Sequence, residues 1–149
     1  MIVSDATALI VLLNLERLAL LEIFNKVYIV KNVYDEITAH KRVELPPNFE
    51  VVECKDDLYF DLLTLLDPGE SESIAFAKKM DLPLLIDEKK GRRVAKDLGV
   101  NYFGLIGLLC LLIRKGTLAK EEALALLDEA VAKGFRISQK LRRDFIEKC

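Results

Sequence analysis

The chain has 149 residues, is 52% hydrophobic and 31% charged, and carries a formal net charge of only −2. A chain of that size buries about two thirds of the surface its unfolded form exposes, so one domain spanning 1–149 can fold without a covalent staple, and the composition excludes a disordered polymer. The small net charge excludes a global field for nucleic acid; a polyanion would have to meet a local basic patch.

The opening segment, MIVSDATALIVLLN, places a short apolar strand over 1–4 and a helix from Ala6 to about Asn14, with a second periodic stretch from Leu15 to Phe24. It lacks a basic leader and carries Asp5 ahead of its apolar run, which argues against a signal peptide and for a cytoplasmic protein. VYIV, 27–30, has the β-branched and aromatic character of a buried parallel strand, and Asn32 then reads as the N-cap of a helix to about Ala39. His40 falls at the exposed end of that helix with no nucleophile to pair with. After the breaker Pro46-Pro47-Asn48, a third strand is expected over Phe49–Cys54, followed by a helix from Asp56 to Leu66.

Asp67, Pro68 and Gly69 open the next helix, which runs to about Met80. LPLLI, 82–86, is a fully apolar strand that ends at Asp87; a charged helix to Leu98 and a Gly99 stop come next, then a short strand over Val100–Phe103. The remainder reads as helix: Gly104–Arg114, too short to span a bilayer, then Ala119 to about Ala132, and an amphipathic segment over Ile137–Lys148. In that last segment Ile137, Leu141 and Phe145 recur at four-residue spacing, which fits docking on its own domain or, as the minority reading, a homodimer contact. Cys54, Cys110 and Cys149 are odd in number and widely spaced, which argues against zinc and disulfide frameworks.

Apolar strands alternating with helices imply a central parallel sheet of four to five strands in a three-layer α/β/α arrangement, with ligands beyond the strand C-termini. Asp5 and Asp87 each come directly after a strand. Glu36 shares a helix face with Val33 and Ile37, whereas Asp35 lies three after Asn32 and can complete its capping box. Glu70 has two readings: capping-box partner of Asp67, or a sheet-facing acid whose face-mates are Ser73, Ile74 and Ala77. Converging carboxylates repel one another, and a hard divalent cation such as Mg²⁺ or Mn²⁺ relieves that repulsion.

In this order and on these elements, the residues resemble the PIN-domain proteins, a ribonuclease-like family that includes the toxin nucleases of prokaryotic toxin–antitoxin pairs. VSDATALI, NVYDEI, LDPGESESIAFA, LLIDEKKGRRVAKDLG, NYFGLIGLL and the closing GFRIS carry the likeness over nearly the whole chain. The resemblance implies a metal site of Asp5, Glu36, Glu70 and Asp87, with Thr7 as a hydroxyl companion. Glu88 and Lys89 stand where many members carry a further Asp or Asn, so a single metal is expected.

The activity expected from this likeness is that of a Mg²⁺- or Mn²⁺-dependent endonuclease on single-stranded RNA, with an antitoxin as a partner implied by resemblance alone and no membrane role. Lys89 and Arg92, from the basic run after Asp87, are candidate phosphate contacts; cations at a helix start oppose the dipole, although a solvated face explains the run equally well. Two alternatives stand: a PIN fold that binds nucleic acid or protein without cutting, and a phosphatase of the haloacid dehalogenase type. In the latter, Thr7 occupies the position where a second Asp is needed.

Overall fold

Ile2, Val3 and Ser4 form β1, and every other strand of the computed structural model, which describes residues 1–149, runs parallel to it. The remaining strands are β2 (Val27–Val30), β3 (Phe49–Val52), β4 (Leu84–Leu85) and β5 (Tyr102–Phe103), in spatial order β3-β2-β1-β4-β5. The helices are α1 (Ala6–Asn14), α2 (Lys31–Thr38), α3 (Asp57–Leu62), α4 (Pro68–Met80), α5 (Lys89–Asp97), α6 (Leu105–Arg114), α7 (Lys120–Ala132) and α8 (Gln139–Lys148). The chain first builds outward from β1 through β2 to β3, then returns to β1's other side with β4. The order therefore reverses between β1 and β4, and a crevice opens beyond their C-terminal ends.

The central strands are largely apolar because helices cover the sheet there: Val3, Val27, Ile29, Val30, Leu84 and Leu85 are all completely buried in one core of 36 hydrophobic residues, whereas the edge strand β3 carries Glu50 and Val51 exposed. Parallel register continues past the assigned strands, with the Asp5 N–H donating to the Leu85 carbonyl at 2.9 Å and the Ile86 N–H to the Phe103 carbonyl at 2.9 Å. These two bonds carry the chain rigidly to the sheet edge, where Asp5 and Asp87 sit.

Several expected elements are shorter, and hydrogen bonding explains each. The helix expected through Leu15–Phe24 breaks at Glu16, which takes a left-handed φ of 57°; Arg17 and Glu16 N–H groups close the α1 terminus on Leu12 and Leu13, and only a 3₁₀ segment, Leu18–Ile23, comes after. β3 ends at Val52 because the Cys54 N–H turns to the side chain of Glu72. α2 starts two residues early: Val30 holds the N-cap, Asn32 caps nothing, and Asp35 pairs with Lys31 at 2.6 Å instead of closing a capping box.

The expectation of no disulfide fails. Cys110 of α6 and Cys149, just past α8, are bonded, with Cα atoms 5.2 Å apart. The two lie 39 residues apart in sequence, and only the folding of α8 back against α6 brings them together. Phe145, almost completely buried, anchors α8 in the core, whereas of its partners at four-residue spacing Ile137 is half-buried and Leu141 is exposed. No helix is long and apolar enough to cross a membrane.

Candidate metal centre

Asp5 stands at the N-cap of α1, the place where an Asp ordinarily accepts a hydrogen bond from the helix start, yet its side chain makes no capping bond. Its carboxyl is almost wholly buried. Desolvation raises its pKa from 3.8 to about 7; the Ala6 backbone offsets part of this, and Asp67, Glu36 and Glu88 push the same way as burial.

Glu70 lies in the first turn of α4 and is also buried. Both sequence readings of it contain part of the answer. Asp67 caps α4 by accepting from the Glu70 N–H at 2.8 Å, but no return bond from the Glu70 carboxylate completes a box. The side chain is instead held among acids. Desolvation first, then a carboxyl–carboxyl hydrogen bond with Asp67 and the charges of Asp67, Asp5 and Glu88, raise its pKa to about 8. One turn on, on the same face, the buried Ser73 hydroxyl has no partner.

Two glycines set how closely the frame approaches these acids. A Cβ at Gly91 of α5 would lie 2.9 Å from the Glu70 Oε2 and 2.7 Å from the Ile86 Cδ1, so any larger residue there would push on the ends of these two side chains. A Cβ at Gly104 would collide with the Asp87 carboxylate and the Arg92 guanidinium. On the other side, the Cβ position of Gly69 is 3.8 Å from the Asp5 Oδ1 and 3.6 Å from the Asp67 Oδ1, which puts these two acids against one helix start.

Asp87 has more partners. Both its oxygens accept from the Leu105 N–H, at 3.1 and 3.2 Å, and its Oδ1 lies 3.6 Å from Arg92 Nη2. Its pKa is still raised, by desolvation first, with the Leu105 N–H and Arg92 opposing and Glu88 assisting. Arg92 also donates from Nε to the Ile86 carbonyl at 3.1 Å, while Lys89 is exposed at the first turn of α5 and makes no ion pair. Glu36 stands exposed on the rim, with its pKa raised by desolvation and then by Asp67.

Of the expected acids, Asp5 and Glu70 therefore form an inner pair, Glu36 acts on Asp5 from the exposed rim, and Asp87, at the end of the neighbouring strand, turns to the Leu105 N–H and Arg92. Thr7, Asp87 and Glu88 line a cleft of about 410 Å³, whereas Glu36 lines a separate hollow across α1 with Ile10, Asn14 and His40. Asp67 and Glu88 are the acids that sequence reasoning set aside, one as a cap and one as a departure from pattern. The usable signal was position: Asp67 lies three residues before Glu70, and Glu88 is the next residue after Asp87.

No three His, Cys, Asp or Glu side chains are drawn together tightly enough to hold a metal ion as they stand. In kind, the donors do fit a hard divalent cation: they are oxygen-only and mutually repelling, and apart from Arg92 at Asp87 no basic side chain pairs with any of them. Paired acids without counter-charge are what such a cation stabilises.

An all-parallel α/β sheet with buried acids gathered at its switch point defines the class: a doubly wound protein whose chemistry lies beyond the ends of β1 and β4. A family model, DUF3368, a PIN domain, matches residues 1–149. The chain belongs to the PIN-domain family, whose members are generally nucleases. No curated protein and no solved structure matches it.

Proposed function

We propose that this PIN domain is a divalent-cation-dependent endonuclease that hydrolyses phosphodiester bonds of single-stranded RNA. The observation that carries the reading is the pair Asp5 and Glu70: buried at the switch point, with no basic partner, and raised to about 7 and 8. Uncompensated buried acids are costly, and they cluster at functional sites.

Asp5, Glu70 and Asp87, with Glu36 at the rim, would hold Mg²⁺ or Mn²⁺. The bound cation supplies positive charge to the phosphoryl oxygens and lowers the pKa of water. The chain's own groups do the rest. The Leu105 N–H and Arg92 fix the Asp87 carboxylate, Gly91 leaves room for the Glu70 carboxylate beside α5, and the Thr7 hydroxyl lines the cleft beside them as a positioning group. Water adds to phosphorus and the ester oxygen departs as a hydroxyl, leaving a phosphate monoester. Lys89, exposed at the α5 start, is the better placed phosphate contact; Arg92 is already engaged with Ile86 and Asp87. A toxin role with an antitoxin partner extends this proposal by family resemblance.

One observation favours a second reading, a PIN fold that binds without cutting: the Asp87 oxygens are already occupied by the Leu105 N–H and Arg92. Titrating Mg²⁺ and Mn²⁺ against a labelled RNA panel separates the two. Cleavage by the wild type that vanishes in Asp5→Asn and Asp87→Asn supports the nuclease. Binding of RNA with no cleavage at any metal concentration supports the module.

A further inference from the structure

The segment GFRIS, at the end of α7, has no role in the acid site, yet the fold brings it there. Gly134 takes a φ of 111°, open to glycine but strained for other residues, and this turn reverses the chain between α7 and α8. The Phe135 N–H closes the turn on the Ala130 carbonyl at 2.9 Å, and Lys133 Nζ donates to the Asn14 carbonyl at 3.0 Å, pinning the turn to the end of α1. As a result Lys133, Phe135 and Arg136 form one wall of the 410 Å³ cleft whose other wall is Thr7, Asp87 and Glu88.

The two walls differ in charge. The acids lie on one side, while Arg136 opposite is exposed and makes no hydrogen bond or ion pair through its guanidinium. The Phe135 ring is half-buried: its inner part packs on the core while it also lines the cleft. The volume falls in the range of small-ligand sites and accommodates about one nucleotide. A free guanidinium and an anchored aromatic ring in one cleft are the two groups that hold single-stranded nucleic acid without reading its sequence, by phosphate contact and base stacking.

We infer that Phe135 and Arg136 form a nucleotide subsite for single-stranded RNA next to the acid centre, with Phe135 stacking on the base that flanks the scissile bond and Arg136 contacting that nucleotide's phosphate. The inference rests on the nuclease reading for its substrate. It adds that the turn after α7, outside the four acids, sets substrate affinity while tolerating any base.

The test is binding of a fluorescein-labelled oligoribonucleotide to the full chain in EDTA, by anisotropy across a salt series, with cleavage assayed separately in Mg²⁺ and Mn²⁺. Arg136→Ala is expected to weaken binding roughly tenfold and reduce the slope of log K against log salt by about one. Phe135→Leu is expected to weaken it roughly fivefold with an unchanged salt slope. Arg143→Ala removes the same charge from an exposed position on α8 and serves as the control, with less than a twofold change; thermal melts of each variant establish that it folds. If Arg136→Ala and Phe135→Leu both bind within twofold of wild type, the subsite is overturned whether or not the protein cleaves. If binding depends on both residues but no metal supports cleavage, the subsite stands and the nuclease reading falls. A wild type that neither binds nor cleaves RNA overturns both.

Discussion

Asp5 is a residue whose function and stability pull in opposite directions. Its folded pKa of about 7 lies above the ordinary 3.8, so the folded state holds the proton more tightly than the unfolded chain does. Stability from this group is therefore fully present below pH 3.8 and is lost as pH rises toward 7, at up to about 1.4 kcal/mol per pH unit. Glu70 has the same sign and extends the window to about pH 8. Thermal melts in EDTA should show the wild type losing stability from about pH 5 to pH 8, where acid unfolding of paired carboxylates gives the reverse trend. Asp5→Asn should flatten that slope and melt higher than wild type near pH 8 while losing cleavage; a variant that melts lower at pH 8 would contradict an uncompensated charge at Asp5. Mg²⁺ or Mn²⁺, which binds only the folded site, should recover the wild type's stability at pH 8 and have little effect near pH 5, where the acids are protonated. It should not stabilise Asp5→Asn to the same extent.

At the scale of the element, α4 both positions the site and ties the layers together. Glu72 is completely buried two residues past Glu70, with Oε1 accepting from the Asn32 N–H at 3.0 Å and Asn32 Nδ2 at 2.9 Å, and Oε2 accepting from the Cys54 N–H at 2.7 Å. It joins the start of α2 to the chain beyond β3. Glu72→Ala strands these donors and should cost about 3–5 kcal/mol, read as a denaturant midpoint, with no loss of metal affinity in protein that remains folded. Gly91→Ala should have the converse profile: about 1–3 kcal/mol of stability and a loss of cleavage, because the added methyl displaces the Glu70 carboxylate from its place in the site. Helix-face arithmetic could not assign Glu70 and Glu72 their different work, since α4 is buried on every side from Gly69 to Ala77. For α2 the same arithmetic holds only in part: Val33 and Ile37 are buried, but Glu36, which it set on their face, is exposed, as is Asp35 beside Lys31. The central strands were legible because buried parallel strands are largely apolar; their order, and hence which acids meet at the β1–β4 reversal, depends on contacts between distant segments that no local pattern encodes.

Across the whole molecule, the cleft depends on how its last third is held against the sheet. α8 is fixed by Phe145 in the core, by the Ser138 cap on the Leu141 N–H at 3.1 Å, by Arg142 on Asp128 at 2.9 Å, and by the Cys110–Cys149 bond. That bond closes a loop that contains α7 and the Lys133–Arg136 wall. Spacing of three cysteines could not reveal it, because one partner lies in an apolar helix and the other at the end of an amphipathic one. Alkylation of unfolded, unreduced protein should label Cys54 alone, the one free cysteine, and reduction should expose two more sites. Cross-linking a loop of 39 residues lowers the entropy of the unfolded chain, by about 2–4 kcal/mol in typical cases. Reduction, or Cys149→Ser, should therefore lower the melting temperature by roughly 5–15 °C for a chain of this size. RNA affinity should fall further than the melt alone accounts for, since the unanchored α8 no longer steadies Arg136 against the cleft. If the reduced protein binds RNA as tightly as the oxidised form at a temperature where both are folded, the bond has a purely stabilising role and the cleft wall is held by Phe145 and the Arg142–Asp128 pair.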